Sequence, residues 1–154
     1  MSEELEIVRA IDSAADFSNH DFGAEVGSLQ LLCAEMTSLM SWYLHWRGYW
    51  DLRVRLCSRV IEWAEHGHSG ASVSEVATLI GNLYVDCGWV HLQRNDISLA
   101  EHHAESGTNW LRHTGDKISA DELKAQIALR TGDAASAIAI FGDLRQSIPE
   151  RIRS

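Results

Sequence analysis

The stretch Tyr84-Val85-Asp86-Cys87-Gly88-Trp89-Val90-His91, followed across Arg94-Asn95-Asp96 by Ala100, decides how this chain is read. Gly88 and Ala100 are small residues twelve positions apart on either side of a polar turn. The same spacing returns at Ala125 and Ala137 across Thr131-Gly132-Asp133, with Phe141 and Pro149 four and twelve residues past the second alanine. Asp96 and Asp133 hold the same place in the two turns. Small residues on consecutive helices let them approach closely, so the recurrence predicts stacked helix–turn–helix hairpins, usually a binding scaffold.

The rest of the chain fits that reading. A single proline in 154 residues and the lack of alternating β-branched runs predict an all-α protein of about seven helices. The first covers about residues 3–17, with Leu5, Val8, Ile11 and Ala15 on one side, and Ser18-Asn19-His20-Asp21 breaks it. The second runs from about Phe22 to Arg47, where Gly48 stops it. The third covers about Trp50 to His66, with Leu52, Leu56, Val60 and Trp63 as its apolar stripe. After the loop Gly67-His68-Ser69-Gly70-Ala71, Ser72 and Glu75 form a capping box for a fourth helix reaching Arg94. That helix is apolar on two faces, Val76/Ile80/Leu83/Cys87 and Val85/Trp89/Leu92, so it is either sandwiched or lines a groove. Asp96 opens a fifth helix ending near His113 before Thr114-Gly115-Asp116. Ser119 and Glu122 offer a second capping box for the sixth, which ends near Thr131. Asp133 opens the seventh, limited by Pro149. The result is one domain over 1–154: an N-terminal helix or cap over 1–20, then hairpins over 22–67, 72–113 and 117–149.

Composition narrows the function. Thirteen basic against 22 acidic residues give a net charge of −9, which repels a phosphate backbone and argues against nucleic acid as partner. Arg53/Arg55/Arg59 and Arg151/Arg153 are expected to be a solvated helix face and a charged tail. No apolar run is long enough to cross a membrane, and the acidic start is wrong for a secretory signal. Cys33, Cys57 and Cys87 form no C-x-x-C pair and sit in apolar helical stretches, as buried reduced thiols of a cytoplasmic protein would.

Tyr84-x-x-Cys87-Gly88-x-x-His91 with Ala100 resembles the tetratricopeptide repeat, W-x-x-L-G-x-x-Y followed by A-x-x-x-F and P. Ala104 and Gly107 stand where that family prefers an aromatic residue and an alanine. Ala125, Ala128, Ala137, Phe141, Leu144 and Pro149 make a second match, with Asp121 and Lys124 at positions where larger apolar residues are usual. Trp42-Tyr43-Leu44-His45-Trp46-Arg47-Gly48-Tyr49-Trp50 looks like the tryptophan-rich first repeat that follows the nucleotide-binding module of bacterial STAND-type (NB-ARC-like) signalling NTPases. The turn positions Gly48, Asn95 and Gly132 step by 47 and then 37 residues, both longer than the standard repeat. The phosphate-binding motif G-x-x-x-x-G-K-[ST] does not occur in the chain. The resemblance implies a right-handed stack of antiparallel hairpins that acts as a sensor or scaffold.

In such a stack the first helix of each hairpin lines the concave face. The resemblance therefore places Trp42, His45 and Trp46, then Asn82, Val85, Trp89 and Gln93, then Glu122, Gln126 and Arg130 on that face. Large aromatics among polar groups suit a peptide or helix of a partner protein. Trp42 and Trp89 can instead fill the core between helices, and the sequence leaves both open. No polar capping helix follows Ile138, Ile140, Phe141 and Leu144, so either the last hairpin is expected to pack on another copy or the natural chain continues.

Other chemistry is weakly signalled. Glu62, His66 and His68 are within reach of one metal ion, yet there is no H-E-x-x-H, and a helix C-terminus already explains a histidine at 66. His102 and His103 are adjacent and expected to point to different sides of their helix. His91 reads as a packing residue. Asp86 and Asp96 find no partner that sequence can name. No nucleophile elbow occurs. The expectation is a non-catalytic module needing no cofactor. The alternatives are a small-molecule sensor with a Trp-lined pocket and a metal-dependent enzyme.

Overall fold

The computed structural model describes residues 23–65, 73–112, 114 and 117–147, with positions 6, 9 and 13 besides. These residues form α1 (Gly23–Trp46), α2 (Trp50–Glu65), α3 (Val73–Gln93), α4 (Ile97–Leu111), α5 (Ile118–Thr131) and α6 (Ala134–Ser147). Among the described residues there is no strand, and the protein is all-α. Among the described residues no helix is long and apolar enough to cross a membrane. The expected helix over 3–17, the 18–21 break, the loop over 67–71 with His66 and His68, Ser72 of the first capping box, Pro149 and the basic tail lie outside the described residues.

Three of the connections are the same local structure. Gly48, Asn95 and Gly132 adopt left-handed φ values of +73°, +61° and +86°. In each turn the left-handed residue donates its N–H to a carbonyl three residues back, of His45, Leu92 and Leu129 respectively. The next amide, of Tyr49, Asp96 or Asp133, donates to a carbonyl five residues back, of Leu44, His91 or Ala128, at 2.8–3.0 Å. This paired ending satisfies the last carbonyls of a helix and requires a residue that tolerates positive φ, which glycine does freely and asparagine more readily than most.

The helix starts are less regular than the aspartates imply. Asp133 caps α6: its Oδ1 accepts the Ser136 amide at 3.0 Å and its Oδ2 accepts the Ser136 hydroxyl at 2.6 Å. These bonds hold the Asp133 carboxyl below the usual carboxylate range. Asp96 stands at the N-cap of α4 but makes no capping bond, its carboxylate lying 3.9 Å from His91 Nδ1. Ser119 is no cap either: α5 begins after Lys117, and the Ser119 hydroxyl crosses to Asn82 Oδ1 at 3.3 Å. Asp133→Ala is therefore expected to speed hydrogen exchange through the first turn of α6, and Asp96→Ala to leave α4 exchange nearly unchanged.

The helices pair as α1/α2, α3/α4 and α5/α6, and α3 is central, touching α1, α2, α4 and α5. Behind the row α1–α3–α5, the backbones of α2, α4 and α6 do not approach one another. α3 and α4 run antiparallel, with Gly81 beside Leu111 and Gly88 beside His103 and Ala100. α5 runs parallel to α3, with Asn82 at Ser119 and Gly88 at Leu123. One core cluster joins α1, α2 and α3 through Ala34, Cys57, Val60, Ile80, Leu83 and Cys87. A second joins α3, α4 and α5 through Val85, Leu92, Ala104, Leu111, Leu123 and Ile127.

Close approach decides the α3 interfaces. A Cβ on Gly88 would sit 2.5 Å from Leu123 Cδ2, and one on Gly107 would sit 3.0 Å from the Gly81 carbonyl oxygen. That second contact accounts for glycine at 107, where the resemblance expects alanine. Leu123 is fully buried, so its side chain can yield only by displacing its own neighbours. Gly88→Val is expected to lower stability by about 2 kcal/mol through overpacking, read from the urea midpoint; an unchanged midpoint would mean α3 and α5 can separate at no cost.

The end hairpin is open on its outer side. Ala137 is the buried residue of α6, while Ile138 is 72 % exposed and Ile140, Phe141 and Leu144 are half-buried.

Candidate functional site

The residues of α1, α3 and α5 that face one another enclose a cavity of about 500 Å³, open to solvent on one side. It is lined by Trp42, His45, Asn82, Val85, Trp89, Gln93 and Glu122, all expected on the concave face, and by Ser38, Arg53, Asp86 and Ser119. Gln126 and Arg130 line an adjoining cavity of about 490 Å³ that shares Trp89 and Gln93 with the first. The two cavities adjoin at Trp89 and Gln93, and together they form the trough of this face. Trp46 lies outside both, 79 % exposed and edge-on to the His45 ring at 6.4 Å. Trp42 is exposed and Trp89 half-buried against the second core cluster, so both serve the trough and Trp89 serves the core as well.

The floor is an ion pair that connects the first three helices. Arg53 enters from α2 with its side chain 5 % exposed, and its Nη2 lies 2.7 Å from Asp86 Oδ1 on α3. Its Nε donates to Ser41 Oγ on α1 at 2.6 Å, and Ser41 donates in turn to Asp86 Oδ2 at 2.5 Å. Arg53 Nη1 lies 3.1 Å from His45 Nδ1. A guanidinium only donates, so that nitrogen accepts and His45 carries its proton on Nε2. Burial pushes the Asp86 carboxyl up, while Arg53 and the Ser41 hydroxyl pull it back; burial wins and the net shift is upward.

This network corrects the expectation that Arg53 shares a solvated face with Arg55 and Arg59. The buried positions of α2 are Arg53, Leu56, Cys57, Val60 and Ile61, a helical stripe with arginine as its first member. The stripe as read from Leu52, Leu56, Val60 and Trp63 is rotated off that line, which hid Arg53. Asp86 also had a signal: it is the one charge between Val76 and Gln93, on a helix apolar on two faces. A charge there needs a partner, because an unpaired buried carboxylate is costly.

A second set of titratable side chains packs between α3 and α4. His91 and His103 stack at 5.1 Å with their planes 9° apart, and Tyr84 lies against His103 at 5.7 Å. His102 does not point away from His103: their rings meet edge-on at 5.5 Å. His103 Nδ1 is buried with no hydrogen-bond partner. Burial first, then His91 and His102, lower its pKa to about 4, and burial lowers that of His91. A histidine depressed in the folded state stabilises fully above its unfolded pKa of about 6.5 and loses that contribution as pH falls toward 4. The urea midpoint is thus expected to fall between pH 7 and pH 5, and His103→Phe to flatten that fall; an equal fall in the variant would assign it elsewhere.

The three thiols are free and buried. A hydrogen bond with Cys87, then burial, raises the Cys57 thiol well above its usual range, and burial raises Cys33. Raised thiols are poor nucleophiles. Among the described residues no group of three or more His, Cys, Asp or Glu side chains is placed to hold a metal ion. What the site offers is shape, two indoles and a self-satisfied polar floor. Compared with known proteins, the chain matches no family model, no curated protein and no solved structure.

Proposed function

We propose that this chain is a tetratricopeptide-like, right-handed stack of hairpins whose trough binds a peptide or helical segment of a partner protein without covalent chemistry. The observation that carries the reading is the trough itself: two adjoining cavities lined by residues of α1, α3 and α5, with Trp89 in both and Trp42 in the first. An elongated, solvent-open cleft suits an extended guest, and tryptophan contributes more to interfaces than most residues. The three equivalent turns, the close approach of Gly88 to Ala100 and the burial of Ala125 and Ala137 support the repeat. Buried free thiols fit a cytoplasmic location.

Panning a random-peptide display library against the immobilised chain tests the proposal. Enrichment of a shared sequence is expected, and no enrichment from a folded bait would sink it. A second reading, a small-molecule sensor, is favoured by the volume of the first cavity, about 500 Å³ and within the usual range for ligand sites. Thermal stabilisation by an apolar or aromatic compound without peptide enrichment would select it. The exposed Ile138 and Leu129 support self-association through the last hairpin. Light scattering at high concentration checks this, and a strict monomer counts against it.

A further inference from the structure

The trough carries its charges in an order, and that order describes a partner. On the floor, each nitrogen of Arg53 and each oxygen of Asp86 is engaged, so the pair presents no net charge. His45 turns its Nδ1 to Arg53 Nη1 at 3.1 Å, so that nitrogen is occupied as well. The uncompensated charge of the first cavity is Glu122 on α5, which is exposed and makes no ion pair among the described residues. Eight residues along the same helix, exposed Arg130 lines the second cavity and is likewise without an ion pair among the described residues. At 1.5 Å rise per residue the two stand about 12 Å apart along α5.

We infer that the trough selects an extended peptide with a cationic side chain at Glu122 and an acidic group at Arg130. An extended chain advances about 3.3 Å per residue, so the two guest charges are about four residues apart. The cation meets a carboxylate beside two indoles that line the same cavity, and tryptophan is the aromatic that attracts cations best. The net charge of −9 draws the cationic end of a guest in, and the charge at each subsite rejects a guest threaded the other way round. The inference rests on the peptide-binding proposal and adds to it the chemistry and spacing of the guest.

The test synthesises the binders enriched from the random library and titrates them against the intact chain and against Glu122→Lys, Arg130→Glu and the double exchange. Both residues are exposed, and circular dichroism confirms that the variants keep their helix content. The enriched binders are expected to carry a basic and an acidic residue about four positions apart. Glu122→Lys is expected to weaken them about tenfold or more, because it sets like charges against each other. The double exchange is expected to prefer the same peptide with its two charges swapped. Binders that keep their affinity for Glu122→Lys, or that tolerate glutamine in place of their cation, overturn the charge order and leave the peptide trough standing. A panning without a shared sequence, or binders indifferent to Trp42→Ala/Trp89→Ala, overturns the peptide trough and this inference together.

Discussion

Trp42→Ala/Trp89→Ala is expected to abolish capture of the peptides that the wild-type chain enriches, while the helix content stays near wild type. Both indoles line the first cavity and Trp89 lines the second as well, so no guest can run through the trough without meeting one of them. Truncating a tryptophan at the centre of an interface costs about 2 kcal/mol or more, so the pair is expected to weaken binding about a thousandfold. The fold should tolerate it. Trp42 is 65 % exposed and adds little to the core. Trp89 is half-buried at the edge of the second cluster, whose centre is Leu111, Leu123 and the small residues Ala100 and Ala104. Trp46→Ala is the matched comparison, because Trp46 is exposed but outside both cavities. Loss of capture in the double variant with retention in Trp46→Ala would place the site in the trough. Retention in a folded double variant would remove it from there.

Arg53→Leu is expected to be the most destabilising single substitution of a charged residue. It leaves the Asp86 carboxylate, with its side chain 22 % exposed, on the trough floor with Ser41 as its remaining hydrogen-bond partner. Breaking a buried pair from one side costs about 3–5 kcal/mol, and the partial exposure of Asp86 puts the expected loss near the lower figure. That is a large share of the roughly 5–15 kcal/mol that holds a domain folded. Urea denaturation of Arg53→Leu, Asp86→Leu and Arg53→Leu/Asp86→Leu separates the cost of an orphaned charge from the worth of the pair. The double variant should recover most of the loss, since apolar replacement of a whole buried pair is often neutral. A double variant as weak as either single one would mean that the floor contributes shape and not charge compensation. The pH dependence has a definite sign. Burial already raises the Asp86 carboxyl, and without Arg53 that rise is larger. The folded state then binds the proton more readily than the unfolded chain, so the Arg53→Leu deficit narrows as pH falls toward the carboxylate range.

The same network marks where reading the sequence stopped. The register of the resemblance groups Trp42 with His45, Asn82 with Val85, Trp89 and Gln93, and Glu122 with Gln126 and Arg130, and these residues line the two cavities. A stripe of this kind belongs to one helix and needs no knowledge of its neighbours. Trp46, one turn past Trp42 and the last residue of α1, lies outside both cavities. Arg53 and Ser119 were read by residue type, as a surface arginine and a capping serine, when position on the helix places both inward. The His91–His103 stack was invisible for a further reason: it forms between helices, from residues that each look ordinary on their own.

What the sequence determined by itself is local. Apolar periodicity specified the helices, and Gly48, Asn95 and Gly132 specified where three of them end, because a left-handed residue and two hydrogen bonds close each turn within six residues. The small residues Gly88 and Ala100 determined that α3 and α4 could touch. What only the tertiary structure decided is the rotation and stagger of one hairpin against the next. These follow from the sum of many weak contacts around Leu83, Leu123 and the close approaches at Gly81, Gly88 and Gly107, none of which outweighs the others. That stagger, and nothing local, brings Ser41, Arg53 and Asp86 from three helices to one point and opens the trough above them.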